Sequence, residues 1–405
     1  MSRPWLTIVG IGEDGLAGLS AVARAAIQAA PFIMGGRRHL ALLGPHPAIC
    51  HPWPSPLTAA IPTLLARRGE PTLVLASGDP FCWGIGATLA RHVPAEEILS
   101  LPAPSAFSLA ANRLGWPLQD CQCLSLHGRP LEAILPHLYP GARILALSWD
   151  GGTPGKLAAL MDERGFGASR LTILESLGGP AERIRSCLAA DFDVAAITDL
   201  NTLAVDVAAK QGARILPRAG LPDSVFAHDG QLTKRPIRAV TLSSLAPLPG
   251  GLLWDVGSGS GSVAIEWMLI HPSNRAIAIE ADPARAARIG LNARELGVPG
   301  LQVVEGRAPE ACAGLAPPDA IFVGGGSSDV RLLDAMLAAL PAGGRLVVNA
   351  VTLEAQAELA RRHGVLGGEL IALSIATAAP IGRFQALRPA LPVHQWIFIR
   401  SRESA

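Results

Sequence analysis

Residues 252–261, LLWDVGSGSG, constrain the fold more than any other stretch. The apolar run 252–256 has the length and content of a buried strand. Gly257, Gly259 and Gly261 then place three residues without Cβ in five positions. Such a loop turns sharply and lets a ligand lie against the backbone. The helix-like run SVAIEWMLIH follows, and its first amides point at whatever sits in the loop. RAIAIEADP is the next strand, and Glu280 ends it 19 residues after Gly261. A carboxylate there accepts hydrogen bonds from the two hydroxyls of a ribose.

Strand, glycine loop, helix and acidic strand end together indicate an adenosyl-nucleoside site. GxGxG followed by an acidic strand end suits S-adenosylmethionine better than the GxGxxG of dinucleotide folds. A Lys-Ser/Thr pair is missing after the loop, which argues against a triphosphate P-loop. The bland alternative is a structural glycine turn that binds nothing.

The chain of 405 residues suggests two domains of about 200 residues each. Lys and Arg (34) balance Asp and Glu (33). Nothing there points to a nucleic-acid partner or a polyanion-binding surface. Six cysteines are scattered, and only Cys121 and Cys123 are close, without a second pair to complete a zinc site. They read as reduced thiols, and no metal site is expected. The N-terminal stretch lacks the apolar core of a signal peptide. No apolar run reaches the 18 or so residues of a membrane span. A soluble, cytoplasmic protein without a membrane partner is the expectation.

In the first half, residues 5–9 form a short strand, and Gly10, Gly12 and Gly15 spell GxGxxG before an Ala-rich helix. A dinucleotide site requires an acidic end to the next strand. Residues 31–34 run instead into GGRRH. Residues 72–76 form a buried strand ending in Ser77-Gly78-Asp79-Pro80, a rigid turn where open α/β sheets bind ligands, or a plain tight turn. Residues 98–101 form another strand, and Ser105 caps the helix that follows. His127 and Arg129 in SLHGR either meet an anionic substrate or are solvated. Residues 143–149 are a strand, Thr153 caps the next helix with Pro154 at its first position, and 171–175 and 193–197 are read as the closing strands. Residues 206–219 read as a linker.

The runs VGIG, ASGDP, PSAFSLAANRLG, SLHGR, ESLGGPAERI and a late strand ending in DLN resemble the tetrapyrrole C-methyltransferases, more narrowly those acting at carbon 5 of a corrin precursor. The resemblance covers about residues 4–205. It implies a two-lobed α/β fold with S-adenosylmethionine in the cleft between the lobes. By it, Gly10, Gly12, Gly78, Asp79, Pro80, Ser105 and Ala106 line the cofactor cleft. Leu19-Ser20 stands where many relatives carry Leu-Thr, which keeps the hydroxyl.

In the second half, Thr233 is placed at a helix start, with Arg235 and Arg238 in the first turns, either surface charge or holders of an anionic ligand. After Glu280 come a helix over 284–296, a strand LQVVEG, a strand over 319–323 ending in three glycines, and a helix, strand and helix. Residues 370–377 and 393–399 are the last strands, separated by a long loop over 378–392. The alternation gives a mostly parallel, doubly wound Rossmann-like sheet. LTKRPIRA, WDVGSGSG, AIEADP, VEGRAPEA and FVGGGS resemble the precorrin methyltransferases that methylate carbon 15 and decarboxylate the ring-C acetate. This resemblance runs from about residue 220 to the end. It implies that Thr233, Gly257, Ser258, Gly259, Ser260, Gly261, Glu280 and Ala308 bind S-adenosylmethionine. Relatives often carry Cys and Thr in the loop and Asp at the strand end.

Together the halves imply a domain 1–205 for methylation at C5, a linker 206–219, and a class I methyltransferase domain 220–405 for methylation at C15 with decarboxylation. Precorrin-6B is the expected substrate and precorrin-8 the product, with one S-adenosylmethionine per domain. An electron-rich macrocycle attacks the sulfonium methyl directly, so the protein chiefly aligns the reactants. The substrate's carboxylates make Arg113, Arg129, Arg235, Arg238, Arg383 and Arg388 candidate anchors. A homo-oligomer is expected, possibly a tetramer through the second domain. Three alternatives stay open: an oxidoreductase on the two glycine loops, a protein or RNA methyltransferase with the first half as recognition module, and a relative acting on a cobalt-containing ring.

Overall fold

The computed structural model describes residues 4–401. They form two compact units. The first comprises residues up to 131 with 137–214, and the second comprises 132–136 with 215 onwards. The division at Arg214 and Ile215 falls inside the expected linker.

The first unit holds two sheets. Strands β1 (Leu6–Ile11), β2 (Phe32–Gly35), β3 (Ile49–Pro52), β4 (Thr72–Ser77) and β5 (Ile98–Leu101) form a parallel sheet in the order β3-β2-β4-β1-β5. Alternation explains why it is buried on both faces. Leu6 and Ile8 of β1 join Val74 and Ala76 of β4 in one cluster. Val9 and Ile11 join Leu73 and Leu75 in the other. Strands β6 (Cys121–Ser125), β7 (Arg143–Leu147), β8 (Arg170–Glu175), β9 (Arg183–Leu188) and β10 (Asn201–Asp206) form the second sheet, ordered β6-β7-β10-β8-β9. Only its β6–β7 pair is parallel. The helix Ala106–Leu114 packs Phe107, Ala110 and Ala111 onto it.

The second unit is built on β11 (Leu252–Val256), β12 (Arg275–Glu280), β13 (Gln302–Glu305), β14 (Ala320–Val323), β15 (Arg345–Ala350), β16 (Glu369–Leu373) and β19 (Val393–Ile399). Their order is β13-β12-β11-β14-β15-β19-β16, and β19 runs antiparallel to both neighbours. Leu252, Trp254 and Val256 point to one face, where they pack with Leu333 and Met336 of one helix and Leu359 of another. The strand order reverses between β11 and β14, which puts the glycine loop at the switch point of the sheet.

The structure corrects four readings. Residues 193–197 are a loop, because the carbonyls of Ala195 and Ala196 accept hydrogen bonds from Arg185 and Arg183 side chains. The run DLN accordingly leads into β10 instead of ending a strand. Thr153 is the first residue of the helix Thr153–Glu163 and Gly152 its N-cap, while Asp150 Oδ1 accepts from the amides of Gly152 and Thr153. The expected loop over 378–392 is mostly a hairpin of β17 (Ala376–Ile381) and β18 (Phe384–Pro389). Gly382 turns it at φ 56°, and Ile381, Phe384 and Leu387 on it are exposed.

Arg238 is the fourth correction. It is fully buried in the helix Arg235–Leu245. Its Nε donates to Glu266 Oε1 (2.7 Å), and Nη1 donates to Asp223 Oδ1 (3.0 Å) and the Thr233 carbonyl (2.6 Å). Nη2 donates to the Leu221 carbonyl, and the guanidinium lies over the Phe226 ring. Glu266 in turn accepts the amides of Gly220 and Leu221. Every donor nitrogen is engaged, so Arg238 fastens the entering chain to two helices and leaves nothing for a substrate carboxylate. Removing one partner of a buried pair strands the other charge. Arg238→Ala is expected to lower the stability of the second unit by about 3–5 kcal/mol in chemical unfolding; near-native stability with only a raised KM would restore the anchor reading.

Candidate active sites

In the second unit, β11 ends where backbone must meet backbone. Gly257, Gly259 and Gly261 all have positive φ (68°, 61° and 80°). A Cβ on Gly257 would lie 3.1 Å from the Gly325 amide nitrogen, and one on Gly261 2.8 Å from Ile289 Cγ2. The glycines are therefore required by both conformation and space. Glu280, 6% exposed, fixes the loop. Its Oε2 accepts from the Gly259 amide (2.8 Å) and its Oε1 from the Asp282 amide (3.0 Å).

Below the loop, Asp255 is buried, and its Oδ2 accepts from Ser258 Oγ (2.8 Å) and the Ala264 amide (3.1 Å). Burial pushes its carboxyl up to about 6, against those two hydrogen bonds and with the help of the Glu280 charge. Asp255 Oδ1 and Ser260 Oγ are enclosed without a hydrogen-bond partner. Buried oxygens without a partner are uncommon in folded proteins, and these two lie beside the glycine loop. Segments leading to two other expected residues run past the loop. Gly259 abuts the Gln231 carbonyl, two residues before Thr233. The Gly306 amide donates to the Glu280 carbonyl (2.9 Å), which brings the chain leading to Ala308 alongside. The arginines do not converge. Arg235 is exposed at its helix start, and Arg383 and Arg388 belong to the hairpin β17–β18, where Arg383 lies over Phe384.

In the first unit, a cleft of about 810 Å³ is lined by residues from both sheets. It opens at the carboxyl ends of β1 and β4. A Cβ on Gly10 would sit 1.7 Å from the Gly78 carbonyl oxygen, and one on Gly78 (φ 54°) 2.6 Å from that of Pro104. Only glycine lets these three chain segments meet. Ser105 caps its helix by accepting from the Ser108 amide (3.1 Å). Gly12, Gly78, Ser105 and Ala106 line the cleft. Gly10, Asp79 and Pro80 act from behind: Asp79 Oδ1 accepts from the Phe81 amide and the Pro80 carbonyl from that of Gly86. His127 and Arg129 also line the cleft. Arg113 is turned to Glu182 in a bidentate pair (2.6 and 3.0 Å).

Sequence reasoning missed a polar group on the cleft wall. Arg38 pairs with Glu13, and its Nη2 donates to His39 Nε2 (2.9 Å) and to Ser77 Oγ (2.9 Å). Ser77 Oγ and His39 Nε2 are 2.8 Å apart. Burial, then the Arg38 charge, lowers His39 to about 4, so the imidazole is neutral near pH 7. Among the described residues, no group of three or more His, Cys, Asp or Glu is arranged to hold a metal. No helix among them is long and apolar enough to cross a membrane.

The opposite rim is held by Glu175, 1% exposed. Burial raises its carboxyl, but hydrogen bonds from Arg183, the Thr198 amide and Arg185 outweigh this and hold it at about 2. Its neighbours Leu174 and Ser176, and the Asp199–Asn201 corner that this clamp fixes, line the cleft. A depressed carboxylate contributes stability above its unfolded value, near 4.5, that is lost as pH falls toward 2. Glu175→Gln is expected to flatten the acid limb of a pH–Tm curve in that window; an unchanged limb contradicts the clamp.

Two family models match the chain. Residues 5–193 match the tetrapyrrole (corrin/porphyrin) methylases, and residues 224–400 match a precorrin methyltransferase domain. A precorrin-6Y C(5,15)-methyltransferase [decarboxylating] of Sinorhizobium sp is 55% identical over 395 residues, 97% of this chain and 96% of the relative. Two shorter proteins each match part of it. A cobalt-precorrin-7 C(5)-methyltransferase of Salmonella typhimurium is 31% identical over 203 residues, 48% of this chain and 98% of that one. A probable cobalt-precorrin-6B C(15)-methyltransferase (decarboxylating) of Pyrobaculum calidifontis is 34% identical over 181 residues, 43% of this chain and 93% of that one. Identity at this level along nearly the whole length of both chains makes this protein a member of the precorrin-6Y C(5,15)-methyltransferase (decarboxylating) family.

Proposed function

We propose that the two units divide the family's reaction. The first methylates C5 of the corrin precursor, and the second methylates C15 and releases the ring-C acetate carboxyl as carbon dioxide. The observation that carries this reading is the presence of two unlike glycine-built settings: the cleft of the first unit and, in the second, the glycine loop closed by Glu280. The half-length relatives, named for a C(5) and a C(15) reaction, support the same division.

Methyltransferases of this family use S-adenosylmethionine, which when bound supplies an electrophilic methyl group. One molecule per unit is the proposal. In the second unit, Glu280 spends one lone pair of each oxygen on a backbone amide and keeps others for the ribose hydroxyls. Gly257 to Gly261 offer bare backbone for close approach, Ser260 Oγ offers an unpaired hydroxyl, and Thr233 and Ala308 close the sides. In the first unit, Gly12, Gly78, Ser105 and Ala106 form the cofactor side of the cleft, with Gly10, Asp79 and Pro80 holding its backbone. Arg129 is the remaining candidate for a substrate carboxylate there. Arg235, Arg383 and Arg388 stay candidates in the second unit because they are exposed. Precorrin-6B is the proposed substrate and precorrin-8 the product. The full-length relative's name carries no cobalt, which favours the metal-free ring.

The exposed hairpin β17–β18, with Ile381 62%, Phe384 63% and Leu387 72% exposed, supports association of the second unit with further copies, a tetramer among the options. A cytoplasmic location is part of the same reading.

Separate variants test the division. Gly10→Val drives a side chain into the Gly78 carbonyl. It is expected to abolish C5 methylation while C15 methylation and carbon dioxide release continue. Gly259→Arg is expected to do the reverse, with products followed by mass spectrometry and NMR. Loss of both activities in each variant would contradict independent centres.

A further inference from the structure

The macrocycle proposed as substrate of the first unit has two kinds of surface: broad conjugated ring faces and a rim of carboxylates. A site for it needs an aromatic face for the ring and a cation for the rim. Exposed apolar side chains scattered singly need no explanation. Here three of the protein's eight tryptophans, Trp53, Trp83 and Trp149, line one cleft.

Trp149 is the one left free for a substrate. Strands β6 and β7 run parallel, with Ser125 opposite Leu147. The Leu126 amide extends this pairing by donating to the Leu147 carbonyl (2.8 Å). His127 and Trp149, each two residues past its strand end, therefore leave the sheet side by side at its carboxyl edge. Their ring centroids are 6.3 Å apart and the rings are tilted by 51°. The backbone around Trp149 is fixed. Ser148 Oγ donates to the Asp150 carbonyl (3.0 Å), and Asp150 Oδ1 accepts from the amides of Gly152 and Thr153. The indole carried on this backbone is 57% exposed and lines the cleft. A rigid aromatic side chain of this kind gives a large contact area at a low cost in conformational entropy.

The cation stands next to it. Gly128 at φ 66° turns the chain after His127, and the Arg129 amide closes the turn on the Leu126 carbonyl (3.2 Å). Arg129 is exposed and lines the same cleft, unlike Arg113, which Glu182 holds. The other two tryptophans are engaged elsewhere. Trp53 is half-buried against the core of the first sheet. Trp83 follows the 77–80 turn on the cofactor side and meets Phe107 edge-on at 5.1 Å.

We propose that Trp149, braced by His127, stacks on the conjugated face of the corrin precursor, and that Arg129 beside it takes a rim carboxylate. This rests on the reading that the first unit is the C5 centre. Trp149 binds substrate and takes no part in bond making. A face that grips the ring equally before and during methyl transfer shows in KM and leaves kcat alone.

The test uses the full chain with precorrin-6B and S-adenosylmethionine, and follows methylation at C5 and at C15 separately by mass spectrometry and NMR. Trp149→Leu keeps an apolar side chain and removes the aromatic face. It is expected to raise KM for C5 methylation about tenfold, with kcat within about twofold of wild type. Trp149→Phe is expected to restore most of the loss. S-adenosylhomocysteine affinity, read by calorimetry, and C15 methylation are expected to stay at wild-type values. A wild-type KM in Trp149→Leu overturns the proposal and leaves the C5 assignment standing. Equal loss in Trp149→Leu and Trp149→Phe overturns it too, as does a fall in S-adenosylhomocysteine affinity, which puts the indole on the cofactor. A wild-type protein that methylates C15 but never C5 overturns both the proposal and the C5 assignment. Should Trp149→Leu fail to fold, Trp149→Met decides by the same KM.

Discussion

Backbone meeting backbone at the carboxyl ends of parallel strands is the constraint on which both units depend. In the first, Gly10 and Gly78 let β1, β4 and the 103–105 segment come together, since a Cβ on either would collide with a carbonyl oxygen. In the second, three glycines at positive φ turn the chain back toward the Gly325 segment, and one carboxylate, Glu280, ties the turn to the neighbouring strand. Open α/β sheets bind ligands in the crevice outside the carboxyl ends of their strands, which is where both glycine-bearing segments lie. The same packing requirement recurs in two unlike folds.

Much of this was legible in the sequence, and the reasons differ by element. Residues 252–280 were readable because strand, loop, helix and acid fall at a spacing that few structures satisfy. Gly78 was readable because Ser-Gly-Asp-Pro allows few backbone paths. The hairpin β17–β18 was not, because prolines and small residues hide its alternation and no core marks its faces. The loop over 193–197 looked like a strand, yet its carbonyls are taken by Arg183 and Arg185, a pairing visible only in three dimensions.

The arginines show the same limit more sharply. Charge and spacing cannot distinguish an anchor from a strut. Arg238 is a strut with every donor nitrogen occupied, Arg113 is paired with Glu182, and Arg129 alone of the first-half pair faces the cleft. Arg38 and His39 were read only as the missing acid of a dinucleotide site. Folding places them beside Ser77, 39 and 38 residues away in the chain, and turns them into the polar wall of the cleft. Burial explains Arg238, since a charge taken from water must find partners within the protein; Arg113 is exposed and is held by its pair with Glu182.

On this reading each unit holds its own methyl-transfer centre. Calorimetric titration of S-adenosylhomocysteine into the full chain tests it most directly. Two sites per chain, reduced to one by Gly259→Arg, is the predicted result. A single site in the wild-type protein would mean that one unit binds no cofactor, and would contradict the account.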